Sequence, residues 1–487
     1  PWSRTDRPLI FEPGTWRIRA TQKRRQMQRE TSKRSVWQKV IPLSVLKTIS
    51  PQNQKGLSMK LTGLSAELFD EIKKIPVVDA HEHLPTEAGR LAGKTDVTRL
   101  FAHYCKADLS CAGLLMGKDQ NEVFDASKPL MPRWKKFKPA FQAIRFGSYA
   151  YPALAYVRDV LGFDDITDKT VEAISEKMQA DVRPGFYKQI MQDLCGIEVA
   201  IQCTGGVEKG DQDFFVYLCG DRTHGVPIAG LEAVTNRSIH GLSDFVSALR
   251  QYVADQKKQG AVGYKVGAAY GRCIDYPDVS HGDAERVFVK LRAKVNSGVS
   301  DLDRELVENY LIRRAIEACI DVDMPVVIHT GYQAGVHNDI RNARATHLWS
   351  LLRDYPEARF DLFHGSFPYV EDMTCLGKYF ENVSLNMCWM HIMGPDVSRR
   401  ALSQWLDAVP VTKIFAFGGD YSVVEKIYGH LLLARADVAA VLAEKVERGR
   451  FNTDDALHIA RLIFNENPKR WYKLPRKRKK RAPRKKA

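Results

Sequence analysis

The strongest chemical signal in the sequence is a pair of histidines at alternate positions, His81 and His83, at the end of the segment Val-Val-Asp-Ala-His-Glu-His. The apolar start of this segment predicts a β-strand over 76–83, and alternate residues of a strand point to the same side. The two imidazoles therefore project together. Such a pair either binds a divalent metal as neutral ligands or forms ordinary hydrogen bonds, and the pair alone does not decide between these interpretations.

Three further polar residues follow short apolar runs. His329 lies in Ile-His-Thr-Gly, His364 in Leu-Phe-His-Gly, and Asp420 closes Phe-Gly-Gly-Asp. A polar side chain at the end of a buried strand needs a partner, because burying it alone is costly. If the strands are parallel, their carboxyl ends meet at one edge of the sheet. These three residues would then join His81 and His83, which favours a metal site over separate core histidines.

The elements that must position these residues are predicted from the apolar runs. Nearly continuous apolar segments, typical of parallel strands covered by helices, predict eight strands. They are 76–83, 197–204, 226–233, 261–268, 325–331, 360–365, 383–389 and 414–420. Helical spacing predicts helices at 302–320, 344–353, 371–380, 396–407 and 421–445. This alternation predicts an α/β fold, a (β/α)8 or TIM barrel, with a doubly wound open sheet as the alternative.

The domain organisation is inferred from intervals between predicted strands that are longer than a single strand–helix repeat requires. Residues 59–470 are assigned to the barrel, and the long interval 84–196 is predicted to be a helical insertion after strand 1. Loops at that end of a barrel shape the substrate pocket, so we expect the insertion to cover the catalytic mouth.

The basic charge of the chain lies at its ends. The formal net charge is +15, but residues 1–58 carry +10 and residues 469–487 carry +12, so the remainder carries −7. We interpret 1–58 as a basic, disordered N-terminal extension, with a transit peptide as the alternative, and 471–487 as a polybasic, disordered tail. Nucleic acid would bind only through these tails, and no aromatic residue after Tyr472 is available to stack on bases.

The cysteines predict a reducing, cytoplasmic environment. The nine cysteines are odd in number and include no CxxC pair, so free thiols are expected in place of a disulfide framework. The chain has 487 residues, 44% of them hydrophobic and 27% charged, which is typical of a globular protein. It contains no apolar run of about 18 residues, which argues against a membrane partner.

The four motifs, in their order over 76–420, resemble those of the amidohydrolase superfamily, specifically its amidohydrolase-2 type branch. The resemblance implies a distorted TIM barrel with a divalent metal, usually zinc, at the carboxyl ends of the strands. Members of the family are often dimers or larger, so a homo-oligomer is possible, although the sequence itself does not give the oligomeric state. A metal of this kind lowers the pKa of bound water from about 16 to about 7.

The resemblance also implies roles for the residues in the motifs. His81, His83, His329 and Asp420 correspond to the metal ligands, and Asp420 would also act as general base and then general acid. His364 corresponds to a residue that is a ligand in two-metal members and orients or polarises substrate or water in one-metal members. We expect one metal, and two remain the alternative.

Three further residues are candidates for binding the substrate. Lys265, in the predicted fourth strand, corresponds to a lysine that is carboxylated and bridges two metals in some relatives, and to a position that binds a substrate carboxylate in others. An ordinary lysine is the third interpretation, and we favour the substrate contact. Trp389 would line the pocket or pack beneath a loop, and Tyr332 follows strand 5.

The predicted function is that of a metal-dependent hydrolase cleaving a C–N or C–O bond of a small polar substrate. Uronate isomerases and decarboxylases share the implied fold, and the long insertion makes the isomerase alternative a serious one. A protein that binds nucleic acid or an acidic surface through its basic tails is the alternative from another class.

Overall fold

The computed structural model describes residues 61–203, 213–293 and 299–474. The predicted extension at 1–58 lies outside the described residues, as do residues 475–487 of the predicted tail 471–487. The first four residues of that tail are described, and Tyr472 and Leu474 among them are buried, so they belong to the packed core. Within the described ranges, no helix combines the length and the apolar character that crossing a membrane requires.

Eight parallel strands form one sheet in chain order, as the TIM-barrel prediction requires. The strands are Val77–Glu82 (β1), Ile197–Gln202 (β2), Phe215–Gly220 (β3), Ala261–Val266 (β4), Val326–Ile328 (β5), Phe360–Leu362 (β6), Val383–Asn386 (β7) and Ile414–Phe415 (β8). Backbone hydrogen bonds also join the last strand end to the first, since Ala80 N donates to Phe417 O at 3.1 Å and Asp420 N to His81 O at 2.8 Å. The open-sheet alternative is therefore excluded.

The helices surround this sheet. The first seven are Leu64–Ile72 (α1), Glu87–Leu91 (α2), Cys105–Cys111 (α3), Lys118–Phe124 (α4), Leu130–Ile144 (α5), Tyr151–Asp159 (α6) and Val171–Asp181 (α7). The others are Ile228–Thr235 (α8), Leu242–Lys258 (α9), His281–Arg292 (α10), Asp301–Asp321 (α11), Trp349–Asp354 (α12), Val370–Tyr379 (α13), Met390–Met393 (α14), Pro395–Ala408 (α15), Glu425–Glu447 (α16), Thr453–Arg461 (α17) and Asn467–Trp471 (α18).

The prediction for the third strand was wrong. The predicted strand 226–233 is largely helix α8, and the strand of the barrel is Phe215–Gly220. A short apolar run does not distinguish a buried strand from a buried helix by itself. In α8 the buried residues are Leu231 and Thr235, four positions apart, which is helical spacing.

Several strands end earlier than predicted, and the difference affects where the candidate site residues lie. His329, His364, Trp389 and Asp420 lie after their strands and not within them. At the last three of these positions the backbone leaves the extended conformation for the left-handed region. For the same reason the helix predicted at 421–445 begins only at Glu425.

The interval 84–196 contains helices α2 to α7 and has its own aromatic core. Phe101 and Phe141 lie 5.1 Å apart between ring centroids, with Trp134 and Phe137 beside them. The interval is joined to the barrel at the site itself, because the Tyr104 hydroxyl donates to the backbone oxygen of Asp420 at 2.6 Å.

Candidate metal centre

Left-handed backbone turns follow three successive strands at the mouth of the barrel. His364 has φ 63°, Trp389 has φ 67° and Asp420 has φ 59°. A non-glycine residue in this region costs of order 1–3 kcal/mol, and such residues cluster at functional sites. The turns direct three side chains of unlike chemistry toward one region.

Glycine at position 419 allows the last strand to approach the first. A Cβ atom added to Gly419 would lie 1.9 Å from Oε1 of Glu82, a distance at which atoms overlap. Only a residue without a side chain fits there. The Gly-Gly pair before Asp420 therefore serves the close approach that brings Asp420 to the histidines of β1.

The site begins with His81, His83 and Asp420. The two Nε2 atoms of the histidines are 3.2 Å apart. Oδ1 of Asp420 lies 3.2 Å from His83 Nε2 and 3.6 Å from His81 Nε2. Three ligand-type atoms thus surround one point, as the strand alternation of His81 and His83 predicts.

A second pair of histidines, His329 and His364, faces the same carboxylate. Nε2 of His364 is 3.9 Å from Oδ2 of Asp420 and 3.1 Å from Nδ1 of His329. The outer nitrogen of each ring faces a backbone carbonyl, at Tyr332 for His329 (2.9 Å) and at Cys388 for His364 (3.0 Å). Carbonyls only accept, so both outer nitrogens carry the ring protons.

This arrangement leaves two lone pairs pointing at each other. With the outer nitrogens protonated, His329 Nδ1 and His364 Nε2 are both acceptors at 3.1 Å, and no hydrogen lies between them. Such a contact is unfavourable unless a cation lies against at least one of the two nitrogens. Backbone acceptors on the outer nitrogens are also the usual way in which metal-binding histidines are oriented, so the residues present fit a divalent metal.

The electrostatics keep the imidazoles of His81, His329 and His364 neutral and the Asp420 carboxylate charged. Burial lowers the pKa of His364 to about 4 and holds those of His81 and His329 well below the ordinary value. Burial alone would raise the pKa of Asp420, but the His83 hydrogen bond and the nearby histidines hold it well below its usual value. Neutral imidazoles and a carboxylate are ligands that zinc accepts.

Lys265 faces this set from β4. Its side chain is buried, and Nζ lies 3.9 Å above the Phe363 ring with no hydrogen-bond partner. After burial, its positive charge is the largest influence lowering the pKa of His81, and it acts on His329 as well. The sequence predicted Lys265 as a pocket residue, and in the structure its amine lies over the Phe363 ring, which packs against His81 with 4.7 Å between ring centroids.

The two aromatic candidates differ in exposure. Trp389 is only 1% exposed and stacks on Tyr104, with 4.3 Å between ring centroids. Tyr332 is 39% exposed, and its ring centroid lies 5.7 Å from that of Trp389. Tyr332 is thus open to a ligand, whereas Trp389 packs between Tyr332, His364 and the insertion.

Sequence reasoning missed residues that also reach the site. Cys203 groups with the histidines of β1, and Cys388 groups with His364 and Asp420, with all ligand atoms of each group within 4.8 Å of one another. Cys203 follows an apolar strand, as the histidines do, and that signal was available in the sequence. Tyr104 carries no such signal, because it comes from a helical insertion.

Comparison with known proteins finds similarity over part of the chain. Residues 243–474 match the amidohydrolase family model, which is slightly less than half of the chain. Protein fluG of Emericella nidulans is 24% identical over 242 residues, which is 47% of this chain and 27% of that protein. The chain thus matches only about a quarter of the length of this curated relative.

Solved structures show the same fold. The uronate isomerase of Thermotoga maritima gives a TM-score of 0.72 at 15% identity, over 86% of this chain and 100% of that chain. The glucuronate isomerase of Caulobacter crescentus gives 0.69 at 16%, over 85% and 95%. A Lactobacillus casei protein provisionally described as a metal-dependent hydrolase gives 0.60 at 16%, over 83% and 97%.

Residues 243–474 are thus similar to the amidohydrolase family, and the eight parallel strands form a TIM barrel. Relatives by fold include both isomerases and a hydrolase-type protein, so the fold does not choose the reaction.

Proposed function

We propose that the protein is a metal-dependent hydrolase of the amidohydrolase type, acting on a C–N or C–O bond of a small polar substrate. One observation carries the proposal: the Asp420 carboxylate faces both histidine pairs, with Oδ1 toward His83 at 3.2 Å and Oδ2 toward His364 at 3.9 Å. A carboxylate with one oxygen toward each pair can hold a metal and also move a proton.

The residues that would hold the metal are His81, His83, His329 and Asp420. When bound, a divalent metal supplies Lewis-acid chemistry and makes water acidic near neutral pH. We assign zinc, because imidazole and carboxylate are ligands that it accepts, and one ion per chain. We also propose a cytoplasmic location, since all nine cysteines are free thiols in the structure.

The acid–base roles follow from the protonation of the side chains. Asp420 is ionised, so it can take a proton from the attacking water and return it to the leaving group. His364 keeps its proton on Nδ1, toward Cys388 O, so its Nε2 accepts a hydrogen bond. It can therefore orient a water or a substrate hydroxyl, whereas polarising a carbonyl would require a second proton on the ring.

Lys265 and Tyr332 are assigned to the substrate. A buried amine without a hydrogen-bond partner is costly, and a negatively charged or polar substrate group would relieve that cost. Tyr332 offers an exposed ring on the same side as His329. We place Trp389 behind Tyr332, where it supports the wall of the pocket.

A nonhydrolytic reaction is the second candidate, and one observation favours it. The Thermotoga maritima uronate isomerase gives a TM-score of 0.72 over 86% of this chain, against 0.60 over 83% for the Lactobacillus casei protein. An isomerase of this kind would use the same Asp420 to move a proton without adding water to the product. A decarboxylase is a further nonhydrolytic alternative.

Elemental analysis of the purified full-length protein tests the metal centre. We expect about one zinc per chain, lost in the His81→Ala/His83→Ala variant and retained in a His458→Ala control, because His458 is an exposed residue of α17. Absence of metal in the wild type after reconstitution would overturn the proposal. Turnover of lactones, amides and uronates in ¹⁸O-labelled water then separates the reactions, since hydrolysis places the label in a product carboxylate, whereas an isomerised uronate exchanges only its aldehyde or ketone oxygen with water.

A further inference from the structure

Cys203 occupies the end of β2, the strand next to the one that carries His81 and His83. Its backbone N–H donates to the backbone oxygen of Glu82 at 2.7 Å. Glu82 lies between the two histidines in the sequence. This bond fixes Cys203 beside the histidine pair. The Cys203 Sγ and the ring nitrogens of both histidines lie within 4.8 Å of one another.

The position of this thiol suits a metal ligand. The side chain of His83 is 41% exposed and Cys203 is half-buried, so neither is sealed within the core. Burial raises the pKa of the Cys203 thiol to about 11, and the positive charge of the buried Lys265 amine opposes that rise. A cation bound by the histidine pair would favour the thiolate, which is the form that binds metals.

Cys388 is the other thiol near the centre, and its environment differs. Cys388 is fully buried. Its Sγ packs so closely against Gly418 that a Cβ atom added to Gly418 would lie 2.8 Å from the sulfur. Its backbone oxygen already accepts from His364. Cys388 therefore serves packing and orientation, and it provides a matched control for Cys203.

We propose that Cys203 is a further ligand of the metal centre, binding as a thiolate together with His81 and His83. The inference rests on the proposed metal-dependent function and adds to it. Thiolate is a soft ligand, which selects zinc or cobalt over magnesium, calcium or manganese. The Cys203 thiolate then contributes to the metal selectivity of the site.

Cobalt substitution of the full-length protein tests the assignment by a readout other than activity. A cobalt–thiolate bond gives a charge-transfer absorption in the near ultraviolet, whereas imidazole and carboxylate ligands do not. We expect this band in the wild type, its loss in Cys203→Ser with cobalt still bound more weakly, and its retention in Cys388→Ser. Circular dichroism of each variant checks folding, and Cys203→Ala is the second variant.

Each outcome is decisive. A wild type that binds cobalt without the band, or a band that survives in Cys203→Ser, would overturn the thiolate assignment and leave the metal centre standing. Loss of the band in Cys388→Ser alone would move the ligand to Cys388 and also overturn it. Failure of the wild type to bind cobalt or zinc at all would overturn the metal centre itself.

Discussion

Asp361 is a buried carboxyl inside the barrel, away from the histidines that define the metal centre. It accepts hydrogen bonds from the Tyr472 hydroxyl, from Asn386 Nδ2 at 3.0 Å and from Ser384 Oγ at 3.0 Å. Burial raises its pKa from 3.8 to about 6, although these donors oppose the shift. Asp361 therefore takes up a proton on folding at mildly acidic pH.

This proton uptake predicts a measurable pH dependence of stability. Because the folded pKa is above the unfolded value, the stabilisation by the protonated form is fully present below about pH 4. It is lost as the pH rises through about 6. Relative to Asp361→Asn, the free energy of unfolding of the wild type should fall by about 3 kcal/mol across that range. Urea unfolding at several pH values measures the difference.

An exposed carboxyl supplies the control for this measurement. Asp454→Asn, at the start of α17, should give a curve parallel to that of the wild type, because that side chain is in water in both states. A wild-type curve parallel to that of Asp361→Asn would contradict the prediction.

For single residues, the sequence reveals a candidate site residue when a polar side chain lies within or directly after an apolar run. His81, His83, His329, His364 and Asp420 each interrupt or follow an apolar run, and the structure brings them together. The tautomers of His329 and His364 were not predictable, because they depend on carbonyl groups that only the folded backbone supplies.

Among the elements, α2 and α16 are joined by a buried ion pair. Arg90 of α2 donates to Glu425 of α16, and both side chains are almost fully buried. Arg90 also donates to Thr95 at 3.2 Å. The pair links the insertion to the helix that follows Asp420, so its loss should loosen the insertion over the mouth.

Removing one partner should cost more than removing both. Arg90→Met leaves the Glu425 carboxylate buried without its cation, and we expect a loss of about 3–5 kcal/mol in the free energy of unfolding. Arg90→Met/Glu425→Leu removes the uncompensated charge as well, and most of the loss should be recovered. A double-mutant cycle by guanidinium unfolding measures both values, and additive effects would contradict the expectation.

The strand that sequence reasoning misplaced shows the limit of prediction at this scale. Both Phe215–Gly220 and 226–233 are short apolar runs, and the chain places only the first in the sheet, where Leu218 pairs with Gly263 of β4. That pairing is a contact between distant segments. Local periodicity does not contain it, whereas the long periodic helix α11 was predicted to within one residue at each end.

In the whole molecule, positive charge is concentrated outside the barrel. Residues 1–58 and 469–487 carry +22 together, against −7 for the rest. We expect deletion of 1–58 and 476–487 to leave the metal content unchanged, because the candidate ligands lie between residues 81 and 420. Tyr472 is retained, since its hydroxyl bonds Asp361.

The same deletion should abolish binding to polyanions. The full-length protein should bind duplex DNA weakly, with an affinity that falls steeply with salt, because such binding releases counterions. The His81→Ala/His83→Ala variant should bind DNA as the wild type does. Metal loss on deletion of the tails, or DNA binding that depends on His81, would contradict this separation.

The closure of the barrel between its first and last strands has a consequence for biosynthesis. Asp420 reaches His81 only through the β1–β8 junction, where its N–H donates to the His81 oxygen at 2.8 Å. The histidines leave the ribosome about 340 residues before that aspartate. At about 5–20 residues per second, this is a delay of roughly 20–70 s. The nascent chain therefore carries exposed imidazoles without their carboxylate, and any ion bound by the complete candidate site must be acquired after translation of nearly the entire barrel.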